Sequence, residues 1–237
     1  MTRKIKFIFI FLIVLIITSN LQAILTSKLI DTPVNNFYAP NEVAIDYYMY
    51  KNGGVITWVE MGVKPPLNLG FSVDFNSIIG DKQMKTREPK ISVRWRIFRG
   101  TLNVPAINIG YLGQGYGEKI GNEYETREKG FYIACEREIF LPYLIWNFGV
   151  NTPKFDKDDI FGFINLRYLW QNSLLFMLEY DNIRTAPNAC LNFGFRYFIV
   201  DNLSMGFAVR KLNKREKTVE RVLMITYIAH VNFFESY

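Results

Sequence analysis

The fold is decided by residues 159–211, which read DIFGFINLRYLWQNSLLFMLEYDNIRTAPNACLNFGFRYFIVDNLSMGFAVRK. Four consecutive segments of this stretch, each about ten residues long, alternate between apolar and polar side chains. One segment has Leu191, Phe193, Phe195 and Tyr197 on one face and Asn192, Gly194 and Arg196 on the other. A period of two is that of a β-strand, because successive side chains of a strand point to opposite faces. The stretch therefore predicts strands rather than helices.

The two faces of these segments favour a membrane barrel over a soluble β protein. One face is continuously apolar, whereas the other carries charge and glycine. Aromatic residues lie at the segment ends, namely Tyr168, Trp170, Tyr180 and Tyr197. An apolar face toward lipid, a polar face toward a lumen and this segment length are typical of transmembrane barrel strands. A soluble core facing water would give the same alternation and is the alternative interpretation.

The same period recurs through residues 41–237 and predicts a closed, antiparallel, up-and-down barrel of about twelve strands. The predicted strands cover residues 43–49, 55–63, 67–76, 91–97, 104–113, 131–136, 144–150, 160–170, 174–181, 191–197, 203–210 and 223–233. Connections after odd-numbered strands are mostly long and those after even-numbered strands are short, with the turn at 51–54 as the exception. Bacterial outer-membrane barrels have an even strand number, short periplasmic turns and longer outer loops. The loop pattern therefore supports the membrane interpretation.

The N-terminus has the organisation of a secretory signal peptide over residues 1–23. Three basic residues precede the apolar run from Phe7 to Thr18, and small and polar residues follow as far as Ala23. The run is shorter than the ~20 apolar residues that a helix needs to span a bilayer. An uncleaved N-terminal anchor is the alternative. Residues 24–40 are then predicted to be a periplasmic segment that precedes the barrel at 41–237, and export implies the bacterial outer membrane as the location.

Charge and aromatic content exclude two other classes of protein. Residues 1–23 hold three basic residues and no acidic one, so the rest of the chain has 25 basic against 22 acidic residues. This small net charge does not suggest a nucleic-acid partner. The chain has 20 Phe, 14 Tyr and 4 Trp but no second long apolar run, which excludes a bundle of membrane helices.

Strand parity predicts a set of charged residues that point into the lumen. They are Asp46, Glu60, Asp74, Arg94, Arg96, Glu136, Arg167, Glu179, Asp181, Arg196 and Arg210. Twelve strands lie between the roughly eight of a filled barrel and the roughly sixteen of an aqueous channel. The charges therefore either line a narrow pore or pair across the lumen. We expect the acidic early strands to pair with the basic late strands, with Arg94, Arg96 and Arg196 at the centre, because opposite charges attract strongly in a confined lumen.

Candidate chemistry is sparse. His230 is the only histidine and the sole candidate base, and we interpret it as a polar residue at a strand end. The run Gly113 to Gly117 lacks the strand–helix context of a nucleotide-binding loop. Cys135 and Cys190 lie four predicted strands apart, so we expect them to be unpaired. No catalytic residue, cofactor or metal site is predicted.

A family resemblance rests on three pieces of the opening stretch. Glu179-Tyr180-Asp181, Leu191 to Tyr197 and the strand from Asp201 to Arg210 resemble the EYD…LNxGxRY…LxLGxxxR hairpins of YjbH-type outer-membrane β-barrel proteins, over about residues 160–211. The resemblance implies a link to exopolysaccharide export, with membrane lipid and other envelope or polysaccharide-export proteins as partners. We therefore predict a non-enzymatic barrel of the cell envelope, either a narrow channel or a structural partner. A barrel enzyme acting on membrane lipid and a soluble exported barrel that binds an apolar ligand are the alternatives.

Overall fold

The computed structural model describes residues 26–81, 83–101, 104–121, 123–139, 141–155, 159–185, 189–214 and 219–231. The predicted signal peptide at 1–23 lies outside the described residues. The strands are β1 (Glu42–Tyr50), β2 (Gly54–Lys64), β3 (Leu67–Asn76), β4 (Lys85–Thr86), β5 (Lys90–Phe98), β6 (Ala106–Leu112), β7 (Tyr116–Ile120), β8 (Glu123–Thr126), β9 (Gly130–Glu138), β10 (Leu144–Thr152), β11 (Phe161–Trp170), β12 (Leu174–Ile183), β13 (Cys190–Val200), β14 (Leu203–Arg210) and β15 (Glu220–His230). A 3-10 turn, Lys51–Gly53, joins β1 to β2.

Twelve of these strands form one closed antiparallel barrel, which confirms the predicted fold class. Its order is β1, β2, β3, β5, β6, β9, β10, β11, β12, β13, β14 and β15. Closure comes from β1 and β15, which pair in register from Glu42 opposite His230 to Met49 opposite Leu223. The short β4 extends the β3 edge at one end, and β7 and β8 form a separate hairpin. Closure leaves the wall no free edge, which is what a sheet inside a bilayer requires.

The wall strands turn their apolar face outward. On β13, Phe193 and Phe195 are 44 % and 41 % exposed, whereas Asn192 and Arg196 on the other face are buried. The alternation in the sequence therefore distinguishes an outer apolar surface from an enclosed polar one. Within the described residues, no helix is long and apolar enough to cross a membrane.

The two ends of the barrel differ in the length of their connections. At one end, which we call the short-turn end, β2 meets β3 through Pro65-Pro66, and β11 meets β12 through a turn in which Gln171 and Asn172 both have positive φ. Positive φ at both central residues gives a two-residue turn the twist that antiparallel strands need. At the opposite, long-loop end lie the connections 77–89 and 113–129. The predicted alternation of short and long connections is therefore present.

Residues 26–36 differ from the prediction, because they lie inside the barrel rather than in a periplasmic segment. They form a small hairpin, which we call the plug hairpin. A bond from the Leu29 N–H to the Thr32 carbonyl closes its turn, and Lys28 bridges Pro33. The chain leaves the lumen at the short-turn end, where Pro40 pairs with Gly62. The plug hairpin is buried because the wall supplies partners for its backbone N–H and C=O groups.

Residues 113–129, which include β7 and β8, also contribute to the contents of the lumen, and we call them the loop hairpin. Tyr116 is 5 % exposed and packs against Tyr48 and Tyr50 of β1. The side-chain amide oxygen of Gln114 accepts a 2.9 Å hydrogen bond from the Ser72 hydroxyl of β3. The barrel interior is thus filled by the plug hairpin and by the loop hairpin.

Candidate functional site: the plugged lumen

Glu179 on β12 is the point where the wall holds the turn of the plug hairpin. Its fully buried carboxylate accepts the backbone N–H groups of Ile30 at 2.8 Å, Asp31 at 3.1 Å and Thr32 at 3.1 Å. The Thr32 hydroxyl donates a further bond at 2.6 Å, and the Asn192 amide donates at 3.2 Å. Successive backbone N–H groups that converge on an anion form a nest. Here the anion belongs to the wall and the nest to the plug.

Asp31, at the tip of the plug hairpin, joins the plug to β14 and to the loop hairpin. Its Oδ2 accepts a 2.6 Å bond from Nε of Arg210. Its Oδ1 accepts the hydroxyl of Tyr48 at 3.0 Å and that of Tyr116 at 2.6 Å. Arg210 also pairs with Glu220 on the neighbouring β15 at 2.6 Å. One buried network therefore connects wall, plug and loop.

Arg94 on β5 holds the arm of the plug that returns toward the short-turn end. Its side chain is 0 % exposed, and its Nη1 pairs with Glu60 of β2 at 2.6 Å. Its Nη2 donates to the carbonyl oxygens of Val34 at 2.8 Å and Asn36 at 2.5 Å. The guanidinium thus uses one nitrogen for a wall carboxylate and the other for the plug backbone, which suits its fork of donors.

Glu136, which a second arginine holds, and Asn147 complete the wall contacts with this arm. Arg167 of β11 binds Glu136 of β9 through two parallel bonds of 2.8 Å. Glu136 also accepts the backbone N–H of Asn35 at 3.0 Å. The Asn147 amide donates to the Pro33 carbonyl at 2.8 Å. The plug backbone is therefore hydrogen-bonded by the wall along its whole returning arm.

Two predicted lumen carboxylates hold the long-loop end instead of the plug. Asp181 accepts Nζ of Lys129 from the loop hairpin at 2.6 Å. Asp74 pairs at 3.5 Å with Arg87, whose Nη2 donates to the Gly117 carbonyl at 2.5 Å. The same set of inward charges thus fastens both bodies that occupy the lumen.

The last three predicted lumen charges contact uncharged groups. Arg196 donates to the Thr226 hydroxyl at 2.6 Å, and that hydroxyl in turn donates to Asp46. Arg96 lies over the ring of Phe37, with 4.5 Å between its guanidinium carbon and the ring centroid. All eleven predicted residues therefore have side chains that are buried or partly buried inside the barrel.

The expected partners of these charges differ from those in the structure. Glu60 pairs with Arg94, and Glu136 with Arg167, each across a single intervening strand. Among the described residues, none of the predicted acidic residues on the first three strands forms an ion pair with a predicted basic residue on β11, β13 or β14. The reason is that the plug hairpin stands between the two sides of the lumen and takes the central partners itself.

Sequence reasoning missed the apolar residues of the lumen. The plug contributes Leu29, Ile30 and Val34, and the wall contributes Tyr48, Tyr50, Ile56, Trp58, Leu175, Met177, Phe198, Ala208, Val222 and Met224, all buried in one cluster with Tyr116. The signal was present in the sequence, since Leu175 and Met177 share the parity of Glu179. Large apolar side chains on the inner face of a barrel indicate a filled interior rather than water.

A cluster of charges closes the long-loop end above this core. Lys51, in the turn after β1, pairs with Glu125 of the loop hairpin and with Glu220 at 3.0 Å, and Lys211 joins both carboxylates. Burial lowers the pKa of Lys51, but the hydrogen bonds to Glu125 and Glu220 outweigh it and raise the pKa overall. Burial alone would raise the pKa of Glu125, but its lysine partners Lys51 and Lys211 lower the pKa overall. Both groups therefore stay charged at neutral pH and hold the loop hairpin in place.

His230, Cys135 and Cys190 are the other residues that the sequence analysis considered. His230 is at the end of β15, with a side chain 75 % exposed and Nε2 at 3.9 Å from Glu42. Cys135 and Cys190 are not joined in a disulfide. No three His, Cys, Asp or Glu side chains are arranged to hold a metal ion in the described part of the chain.

Comparison with known proteins supports the fold of an outer-membrane β-barrel. No protein-family profile and no curated protein matches the chain. Among solved structures, KdgM porin matches with a TM-score of 0.51 and 11 % identity, over 78 % of this chain and 98 % of that one. A structure described as KdgM porin in complex with disordered oligogalacturonate matches with a TM-score of 0.50 and 10 % identity, over the same shares. These matches concern the fold alone, and they do not support the YjbH-type resemblance.

Proposed function

We propose that this protein is a non-enzymatic barrel of the bacterial outer membrane whose narrow channel is closed by its own plug hairpin. The observation that carries the proposal is the contact between Glu179 and the backbone N–H groups of residues 30–32. A wall carboxylate without these donors would be buried and unpaired, which is costly. Water entering an unplugged lumen would supply donors instead. The Glu179 carboxylate is therefore hydrogen-bonded in both states, by the plug in the closed channel and by water in the unplugged one.

The contacts of Arg94 support the same proposal from the other arm of the plug. Its bonds go to main-chain carbonyls of Val34 and Asn36 and not to plug side chains. Main-chain contacts of this kind hold a segment without making it part of the sheet. The segment is thus bound like a ligand, and its release would expose Arg94, Arg167 and Glu179 to solvent.

The solute belongs to the proposal as well. KdgM porin, whose fold this chain shares, is described with an oligogalacturonate, which is an acidic saccharide. The resemblance in residues 160–211 implies exopolysaccharide export. We therefore propose a saccharide-related role in the cell envelope, with membrane lipid around the barrel and other envelope or polysaccharide-export proteins as partners.

The test is the conductance of the full chain in planar lipid bilayers. We expect the wild-type protein to stay almost closed, and a variant with residues 27–35 replaced by Gly and Ser in equal number to conduct steadily. An equally long Gly/Ser replacement of residues 77–85, in a long loop, is the control and should stay closed. Each protein must migrate on unheated gels as a folded barrel.

Two results would contradict the proposal. A large conductance of the wild-type protein, proportional to salt concentration, would mean that the lumen is open. A folded plug variant that stays closed would mean that residues 27–35 do not close the channel, and the loop hairpin would then be the barrier.

A further inference from the structure

The short-turn end carries an open cavity that the closed channel does not use. Its volume is about 690 Å³, and it lies between the turn that joins β5 to β6 and the turn that joins β9 to β10. Asn35 of the plug hairpin and Arg96 of β5 line it on the lumen side. Arg99, Thr101 and Arg137 line it on the turn side. Pockets of roughly 300–1,000 Å³ hold small molecules.

The lining of this cavity carries more cations than anions, since Arg96, Arg99 and Arg137 line it together with Glu136 and Glu138. Glu136 lines the cavity, but it accepts two bonds from Arg167 and one from the Asn35 N–H. Arg96 and Arg99, in contrast, have no carboxylate within ion-pair distance among the residues that the structure describes. With Glu136 paired to Arg167, the three arginine residues of the lining outnumber the remaining carboxylate, Glu138, and the cavity is net positive.

Arg96 is also held in place, which distinguishes it from a mobile surface cation. The ring of Phe37 stacks on its guanidinium and on that of Arg94, at 4.5 Å and 4.6 Å. Its Nε is buried and has no hydrogen-bond partner within the described ranges. A planar guanidinium of fixed orientation offers paired donors that match a carboxylate or a phosphate.

We propose that this cavity binds a small solute through a carboxylate or phosphate group held by Arg96 and Arg99. Asn35 and Thr101 line the same cavity and supply polar groups for the rest of the solute. Asn35 belongs to the plug hairpin, so the cavity is complete only while the plug is in place. On the proposed function, a bound anion therefore favours the plugged state, because a ligand stabilises the state that binds it more tightly.

The test is calorimetric titration of the detergent-solubilised full chain at low ionic strength. The probes are glucuronate, glucose 6-phosphate and glucose, which differ in the presence of the anionic group. We expect both anions to bind and glucose not to bind. Arg96→Gln and Arg99→Gln should each lower the affinity at least about tenfold, the scale set by loss of a charge-assisted pair. Arg127→Gln, the same substitution at the opposite end of the barrel, should leave the affinity unchanged.

Other outcomes would overturn the proposal. The anion site would be refuted if neither anion bound, or if glucose bound as tightly as the anions. It would also be refuted if Arg127→Gln lowered the affinity as much as the two substitutions in the cavity. Arg99 lies in an exposed turn, so Arg99→Gln keeps the test valid if Arg96→Gln does not fold. Loss of solute binding in phosphatidylglycerol vesicles, with binding kept in phosphatidylcholine vesicles, would assign the cavity to a lipid headgroup instead. The anion site and the plug are tested separately. If the anions do not bind but the variant with residues 27–35 replaced conducts, only the anion site is refuted and the proposed plug stands.

Discussion

The substitution Glu179→Gln tests the plug at its strongest contact with the wall. Glutamine keeps the shape of the side chain and removes its charge, while an amide N–H₂ replaces one oxygen. In the wild-type protein both oxygens accept hydrogen bonds, Oε1 from Ile30 and Thr32 and Oε2 from Asp31 and Asn192. The amide nitrogen would therefore face a donor at one of the two positions. The plugged state loses favourable contacts that an unplugged, hydrated lumen does not have.

The expected size of the effect follows from the three backbone bonds to Glu179. A hydrogen bond to a charged group contributes about 1.5–3 kcal/mol and a neutral one about 0.5–1.5 kcal/mol. Each bond therefore loses about 1 kcal/mol, which gives about 3 kcal/mol for the three together. Since 1.4 kcal/mol is about a factor of ten, the ratio of unplugged to plugged protein should rise about 100-fold.

Two measurements read this ratio independently. The first is the open probability of single channels in planar bilayers. The second is the rate at which a membrane-impermeant thiol reagent modifies Val34→Cys in a chain whose Cys135 and Cys190 are replaced by Ser. Both should increase with Glu179→Gln and stay at the wild-type level with Glu88→Gln, which removes an exposed glutamate from a long loop. Unchanged conductance and labelling in a folded Glu179→Gln barrel would refute the claim that this carboxylate holds the plug.

Three further predictions concern the lipid face, the buried ion pair and the loop hairpin. Phe195→Arg, in the middle of β13 and on its outer face, should lower the free energy of unfolding by about 2–4 kcal/mol, against about 0–1 kcal/mol for Val200→Arg at the strand end. Urea unfolding in lipid vesicles measures both, and equal costs would contradict the lipid-facing assignment. Arg94→Ala should cost about 3–5 kcal/mol, because Glu60 is left buried and unpaired. Replacing Arg94 by Met and Glu60 by Leu together should restore most of that stability and still raise the bilayer conductance; a closed double variant would show that Arg94 does not hold the plug. The third prediction concerns pH. Burial raises the pKa of Glu125, but its lysine partners lower the pKa overall. The ion pairs of Glu125 therefore stabilise the loop hairpin fully above the ordinary pKa of 4.5, and this stabilisation is lost as the pH falls through the lowered pKa. Limited proteolysis of the loop hairpin should therefore accelerate on acidification, and a Glu125→Gln chain that keeps this pH dependence would contradict the assignment.

The barrel could be predicted from the sequence because its signals are local and repeated. The strand period requires only neighbouring residues, and β13 shows it without interruption from Leu191 to Tyr197. The alternation of short and long connections adds the second constraint, which orients all strands relative to one another. Closure then follows, since a barrel without free edges is the way strands satisfy their backbone groups in lipid.

The plug hairpin could not be predicted in the same way, because its contacts involve main-chain groups. The bonds of Glu179 go to the N–H groups of residues 30–32, and those of Arg94 go to the carbonyls of Val34 and Asn36. Every residue carries the carbonyl and every residue except proline carries the N–H, so no residue type in 26–40 indicates these contacts. Strand parity similarly gives the face on which Asp46 or Arg196 lies but not its distance to a partner across the lumen.

The inner face nevertheless held evidence against a water-filled channel. Ile56, Trp58 and Leu175 share a parity with Glu60 and Glu179, and each is at most 8 % exposed in the structure. Large apolar side chains that line water would forgo about 25 cal/mol for each Å² they could bury, or roughly 1.5–3 kcal/mol for a complete side chain. A twelve-stranded wall leaves space that its own side chains do not fill. Apolar residues on the inside therefore require additional chain within the lumen, and the segment that directly precedes β1 is close enough to supply it. The charged residues alone are compatible with an open pore, an ion-paired lumen or a plug, and it is the apolar residues among them that favour the plug.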